Sequence, residues 1–248
     1  MTEAPAPHAT PFPDLHGDGL RLRPWDAERD TDAETFLRGY TDPEFRRWNT
    51  PITPVTDLDA ARAALRKRAE AARNGTGVSY CVEDAVSGTP LGHISVSRID
   101  RALCSGCVGY WVLPEARGRG VATRALALTA RWALTDLGLH RLELDHAVGH
   151  QASCKVAERC GFRYEGTLRG SIFEAGRHDA FRDAHLHARL ATDPVDVLGP
   201  VGAVDPNGPT EAVDPNGPVG PNGAVGPNGP VGPNGAVGPN GPVDPVSG

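Results

Sequence analysis

Residues 116–126 read ARGRGVATRAL. Two glycines one residue apart follow an apolar run and precede an alanine-rich one, between what read as a strand and a helix. Glycine lets the backbone turn tightly and lets a ligand approach the main chain closely. The first N–H groups of a helix lack helical partners and sit at the positive end of its dipole. The amides of residues 118–123 are therefore expected to hold a pyrophosphate, with Thr123 able to add a hydroxyl and Arg117 or Arg119 a charge. A dinucleotide fingerprint is excluded. Its third glycine would fall on Thr123, and about twenty residues on, where an acid belongs, stand Leu139, His140 and Arg141. A Walker loop is excluded because no lysine is present here.

The elements that must position this loop follow from pattern. GLRLRPW (19–25) alternates as a strand. DAERDTDAETFLRGY reads as a helix ending near Pro43, with a short helical piece at 44–48. DLDAARAALRKRAEAAR (57–73) is the clearest helix of the first half, with Asp57 as cap and Asn74-Gly75 as stop. VSYCVED (78–84) and PLGHISVSRI (90–99) read as a hairpin, and CVGYWVL (107–113) as a strand closed by Pro114. A helix from about Val121 to Leu137 follows, then strand 140–148, helix 151–160 stopped by Gly161, and two strands ending with FRDAHLHARL (181–190). Helices set between strands predict a mixed α/β (α+β) domain over residues 18–190, preceded by a loose arm over 1–17.

GYWVLPEARGRGVATRAL resembles the R/Q-x-x-G-x-G/A motif of the GNAT family of N-acetyltransferases. Its GY-W-x-x-P-E-x-R-G-x-G form is similar to the subgroup that includes the ribosomal-protein N-terminal acetyltransferases. LGLHRLELDHAVGHQASCKVAERCGFRYEGTLR is similar to that subgroup's second signature, in which a strand leads to N-x-x-S, a helix and G-F-x-x-E-G. GLRLRPW resembles its first strand and HDAFRDAHLHARL its last, so the resemblance covers roughly residues 15–190. It implies a central mixed sheet with splayed strands flanked by helices. It also implies acetyl-CoA as co-substrate, held by Arg117, Gly118, Arg119, Gly120, Val121, Ala122 and Thr123, and direct transfer to a primary amine without an acyl-enzyme.

Transfer from thioester to amine needs a neutral amine, stabilisation of the oxyanion and a proton for the leaving thiolate. The resemblance places the oxyanion donor among the main-chain groups of Trp111, Val112 and Leu113. It places the thiolate's proton donor at Ser153, a position that also suits a helix cap. The Asn of the motif falls on His150, a departure that leaves three readings: a hydrogen bond to the cofactor in its place, titration as an acid, or altered activity. No carboxylate is compelled as general base. His93, Asp145, His146 and Glu83 are candidates, each also readable as a surface or structural group. A protein α-amine, with an unperturbed pKa of ~8, needs little help from a base. Arg46, Arg47 and Trp48 could hold an acceptor, or be surface charge and one core Trp.

The preferred acceptor is a protein N-terminus. A small-molecule amine is the alternative, and a non-catalytic acyl-CoA-binding module is the reading from another class. No metal is expected. Cys104-x-x-Cys107 has no second pair, and His185 and His187, though on one strand face, have no third ligand nearby in sequence. Five cysteines at irregular spacing and an N-terminus without a basic start or apolar core are expected of a cytoplasmic protein, monomer or homodimer, with no membrane partner.

The net charge of −6 resides in residues 191–248, which hold six acids, no Lys or Arg, 13 Gly and 13 Pro. The remaining 25 acids balance 25 bases, which argues against nucleic acid as a partner. Repeats of Pro-Asn-Gly are turn chemistry without core-forming residues, so this segment is expected to be a disordered tail.

Overall fold

The computed structural model of the chain describes residues 12–194; the expected tail lies outside the described residues apart from its first four positions. The chain folds as strands β1 (Leu15–Gly17) and β2 (Leu20–Pro24), helices α1 (Asp30–Thr41), α2 (Pro43–Trp48) and α3 (Leu58–Arg73), then strands β3 (Val78–Asp84), β4 (Pro90–Asp100) and β5 (Ser105–Val112). A short 3-10 turn, Pro114–Ala116, leads to α4 (Val121–Thr135), β6 (Arg141–Ala147), α5 (Gln151–Arg159), β7 (Arg163–Phe173) and β8 (Phe181–Leu190). The eight strands form one sheet in the order β1-β2-β3-β4-β5-β6-β8-β7. This is the mixed α/β architecture the sequence predicts.

Part of the expected loose arm belongs to the sheet. Leu15 pairs with Leu22 and Gly17 with Leu20 across a two-residue turn. That turn is Asp18-Gly19, with φ of 50° and 73°. Asp-Gly is the favoured dipeptide for a turn needing two left-handed residues. Phe12 is buried too, edge-on to Trp132 at 5.7 Å.

Both faces of the sheet are covered. α4 brings Leu126, Ala130 and Trp132 against Leu22, Tyr80, Ile94 and Leu144. On the other face Phe36 of α1 and Leu65 of α3 pack with Trp25 and Trp111. Each such apolar side chain contributes about 1.5–3 kcal/mol through burial. α3 begins where Asp57 accepts the Ala60 amide at 2.8 Å, the cap expected from sequence. Arg23 ties α1 to the sheet. Its guanidinium donates to both Asp32 oxygens at 2.6 and 2.7 Å and to Glu83 at 2.7 Å, all three residues being buried. No helix among the described residues is long and apolar enough to cross a membrane.

The sheet's parallel pair is β5 with β6, joined through α4. The pairing covers only Ser105–Arg141, Gly106–Leu142 and Cys107–Glu143. Beyond Cys107 the strands part. β5 stays paired with β4 as far as Val112, and β6 with β8 as far as Ala147.

Candidate functional site

The gap between β5 and β6 opens beside the glycine loop. Leu113 donates its amide to Leu91 O at 2.9 Å, so it points toward β4. Antiparallel pairs alternate in direction, and the register Gly92–Val112, His93–Trp111 is unbroken here. The amides of Trp111 and Leu113 therefore face β4, and those of Tyr110 and Val112 face the gap. Of the three positions named from sequence, Val112 presents its N–H to the opening.

Gly118 and Gly120 both adopt left-handed φ, 72° and 69°. No atom lies within 4 Å of where a Cβ would stand on either. The first helical bond of α4 runs from the Arg124 amide to Gly120 O at 3.0 Å, leaving the amides of residues 121–123 without helical partners. The loop thus offers open backbone and unpaired donors together, as a pyrophosphate requires.

A cavity of about 420 Å³ lies over this loop. Arg117, Gly118, Gly120, Val121, Ala122 and Thr123 line it, with Trp111 and Val112 of β5 and His150 and Ser153 of α5. Two residues named from sequence lie apart. Leu113 is 1% exposed in the core, and Arg119 is exposed and does not line the cavity. Arg117 is committed to the protein: its Nε donates to Val112 O at 3.1 Å and its Nη2 to Asp42. Exposed Lys155 and Arg159 of α5 supply positive charge instead. Sequence reasoning missed them, although their i, i+4 spacing puts them on one helix face.

Ser153 is not a cap, because α5 starts at Gln151. It is buried, with Oγ 2.9 Å from the hydroxyl of Tyr110. Burial pushes the Tyr110 phenol well above its ordinary pKa, so it stays protonated. Tyr110 went unremarked in the sequence although it stands in the quoted GYW. His150 lies flat on Trp48, ring centroids 4.5 Å apart and planes 1° from parallel. Desolvation lowers its pKa to about 4, which keeps the imidazole neutral near pH 7. Trp48 is half-buried and belongs to the site rather than to the core, while Arg46 and Arg47 are exposed.

A second cavity, about 290 Å³, adjoins the first and shares Phe45, Trp48, Asn49, Tyr110 and Trp111 with it. Asp145 and His146, at the end of β6, line it. His93 also borders it but is a core group: it stacks on Trp111 and accepts the Trp25 indole N–H at Nδ1, 3.0 Å away. Burial pulls its pKa well below the usual imidazole value. Glu83 lies in the buried ion pair with Arg23 and lines neither cavity. The Cys104-x-x-Cys107 thiols sit in different environments. Cys104 occupies a turn at φ 49°, and buried Cys107 lies 2.6 Å from Arg98 Nη2. All five cysteines are free.

The acetyltransferase (GNAT) domain family matches residues 19–163. Over 91 residues the chain is 34% identical to YdaF of Bacillus subtilis (strain 168), covering 37% of this chain and 50% of that one. Over 100 residues it is 31% identical to the ribosomal-protein-serine acetyltransferase of Escherichia coli (strain K12), covering 40% and 54%. The chain thus spans about half the length of these two relatives. The structure of Mycobacterium smegmatis RimJ in complex with CoA-disulfide superposes with a TM-score of 0.61 at 28% identity, over 69% of this chain and 82% of that one.

Proposed function

Because the chain belongs to the acetyltransferase (GNAT) family, we propose that it moves an acetyl group from acetyl-CoA to the α-amine at a protein's N-terminus. The observation that carries this reading is the junction of two cavities at Tyr110 and Trp111. One side has open glycine backbone and unpaired helix amides for a diphosphate. The other is a pocket of about 290 Å³ with aromatic walls and one carboxylate, Asp145. That volume suits the first residue or two of a peptide whose remainder leaves through the opening.

Bound acetyl-CoA would supply the acetyl thioester. The amides of Gly120, Val121, Ala122 and Thr123 would hold its diphosphate, with Lys155 and Arg159 adding charge. The Val112 N–H, facing the gap, would accept the negative charge that develops on the carbonyl oxygen. Tyr110 and Ser153, hydrogen-bonded to one another, would pass a proton to the departing sulfur. Asp145 would draw the ammonium form of the acceptor into the pocket, and an α-amine with a pKa of ~8 gives up its proton to water readily. His150 would serve as a neutral platform on Trp48 rather than as an acid. The ribosomal-protein acetyltransferase among the relatives supports a protein acceptor.

The test is thiol release from acetyl-CoA with a panel of peptides and small amines. Turnover of peptides with a free N-terminus, and none of Nα-blocked peptides that carry lysine, supports the reading. Turnover confined to small amines overturns the protein acceptor. Coenzyme A binding with no turnover across the panel overturns catalysis and leaves an acyl-CoA-binding module.

A further inference from the structure

Three histidines and a cysteine converge beneath α5. His146 of β6 and His185 of β8 are directly paired across the sheet, and His187 sits two residues on, opposite Leu144. Alternation along β-strands puts all three imidazoles on the face that carries α5. Cys154, in the first turn of α5, completes the group. One donor atom from each residue lies within 4.8 Å of every other. Cys154 Sγ is 3.4 Å from His187 Nε2 and 3.9 Å from His185 Nδ1.

We propose that His146, Cys154, His185 and His187 form a binding site for a late first-row transition ion, with Zn²⁺ as the natural occupant. Three imidazoles and one thiolate are borderline-soft donors, which suit Zn²⁺ and disfavour Mg²⁺ or Ca²⁺. Zinc bonds of about 2.0–2.3 Å arranged tetrahedrally put neighbouring donor atoms roughly 3.3–3.6 Å apart. The Cys154–His187 separation already has that value, and the other distances close by small side-chain rotations.

An orphaned atom points the same way. His146 Nδ1 lies 3.0 Å from Ala147 O, which fixes the proton on that nitrogen. Its Nε2 is buried, carries the lone pair and has no partner. A backbone carbonyl on one ring nitrogen commonly orients the other toward a metal. His187 is fully buried, and Nε2 is the ring nitrogen that faces Cys154. Glu158, one turn along α5, acts electrostatically on both Cys154 and His187 and adds negative charge near the cation.

The binding step is a ligand exchange without redox change. The Cys154 thiol loses its proton to solvent as the sulfur–metal bond forms, and the imidazoles donate lone pairs in place of metal-bound water. Cys154 and His185 are only half-buried, which gives the ion a way in. Occupancy would pin the first turn of α5, and Ser153 with it, to β6 and β8. The expectation of no metal rested on sequence neighbours alone; the third and fourth ligands come from β6 and α5.

The full chain, stripped with a chelator, tests this without any assay of turnover. Titrated Co²⁺ is expected to give one equivalent of a thiolate-to-cobalt charge-transfer band with d–d bands of tetrahedral intensity, displaced by Zn²⁺. Cys154→Ser is expected to abolish the charge-transfer band. His185→Gln should weaken Zn²⁺ affinity by roughly 100-fold, at least the loss that changes around a metal's ligands produce. His178→Gln, at an exposed site elsewhere, should change neither. Absence of the band in protein folded by circular dichroism overturns the proposal, and so does a band that persists in Cys154→Ser. Unaltered affinity in His185→Gln overturns it for that ligand set.

Discussion

The hydroxyl of Tyr110, on β5, lies 2.9 Å from that of Ser153, in the first turn of α5. This contact joins β5 to α5 beside the cavity over the glycine loop. Tyr110→Phe should lower kcat by about 10²–10⁴, the usual worth of general acid catalysis, with KM for acetyl-CoA little changed. Ser153→Ala should do the same. The double variant should cost no more than the worse single one, because a pair acting as a unit is non-additive. Full additivity in steady-state kinetics would separate their roles.

Gly120 is held at φ 69° at the head of α4. Gly120→Ala should strain the folded chain by about 1–2 kcal/mol and place a methyl where the proposed diphosphate would lie. Calorimetry should show coenzyme A binding weakened by at least tenfold, while urea melts report the smaller stability loss. Unchanged affinity would move the diphosphate elsewhere.

The imidazoles make stability depend on pH. His150 has its pKa lowered to about 4 by desolvation, and burial depresses His93, His146 and His187 in the same direction. In the unfolded chain these groups titrate near 6.5. The unfolded state therefore binds more protons across the interval between, and stability rises with pH there. Stability should be flat above about pH 6.5 and fall as pH drops toward 4. His150→Asn should reduce the slope, measured by denaturant unfolding at several pH values. An NMR titration should find the His150 ring neutral at pH 6.

Asp32 accepts two of Arg23's hydrogen bonds in the core. Asp32→Asn removes the charge but keeps the shape, leaving Glu83 as the carboxylate hydrogen-bonded to the guanidinium. A broken buried pair costs about 3–5 kcal/mol, and the remaining Glu83 contact should bring the loss toward the lower end. Urea denaturation measures it directly.

The strands and helices were legible because their patterns are strong: VSYCVED and FRDAHLHARL appear in the fold with the bounds read from sequence. β1 was not, since three residues carry too little alternation, although its Asp-Gly turn was there to be read. The glycine loop was legible because left-handed backbone selects glycine by type. Tyr110, Lys155 and Arg159 were not, because a hydroxyl or a charge gains meaning only from what faces it. The His146, Cys154, His185 and His187 group was the least legible. Its members span more than forty residues, and only the β6–β8 register and the packing of α5 on that face bring them together.

The three-residue seam between β5 and β6 joins a blade of five antiparallel strands to a blade of three. So short a join leaves the Tyr110 and Val112 amides to exchange with solvent through local breathing rather than global unfolding. A donor wedged between the blades would act as a mechanical splint, and hydrogen exchange along the lips of the seam would slow in proportion to its grip.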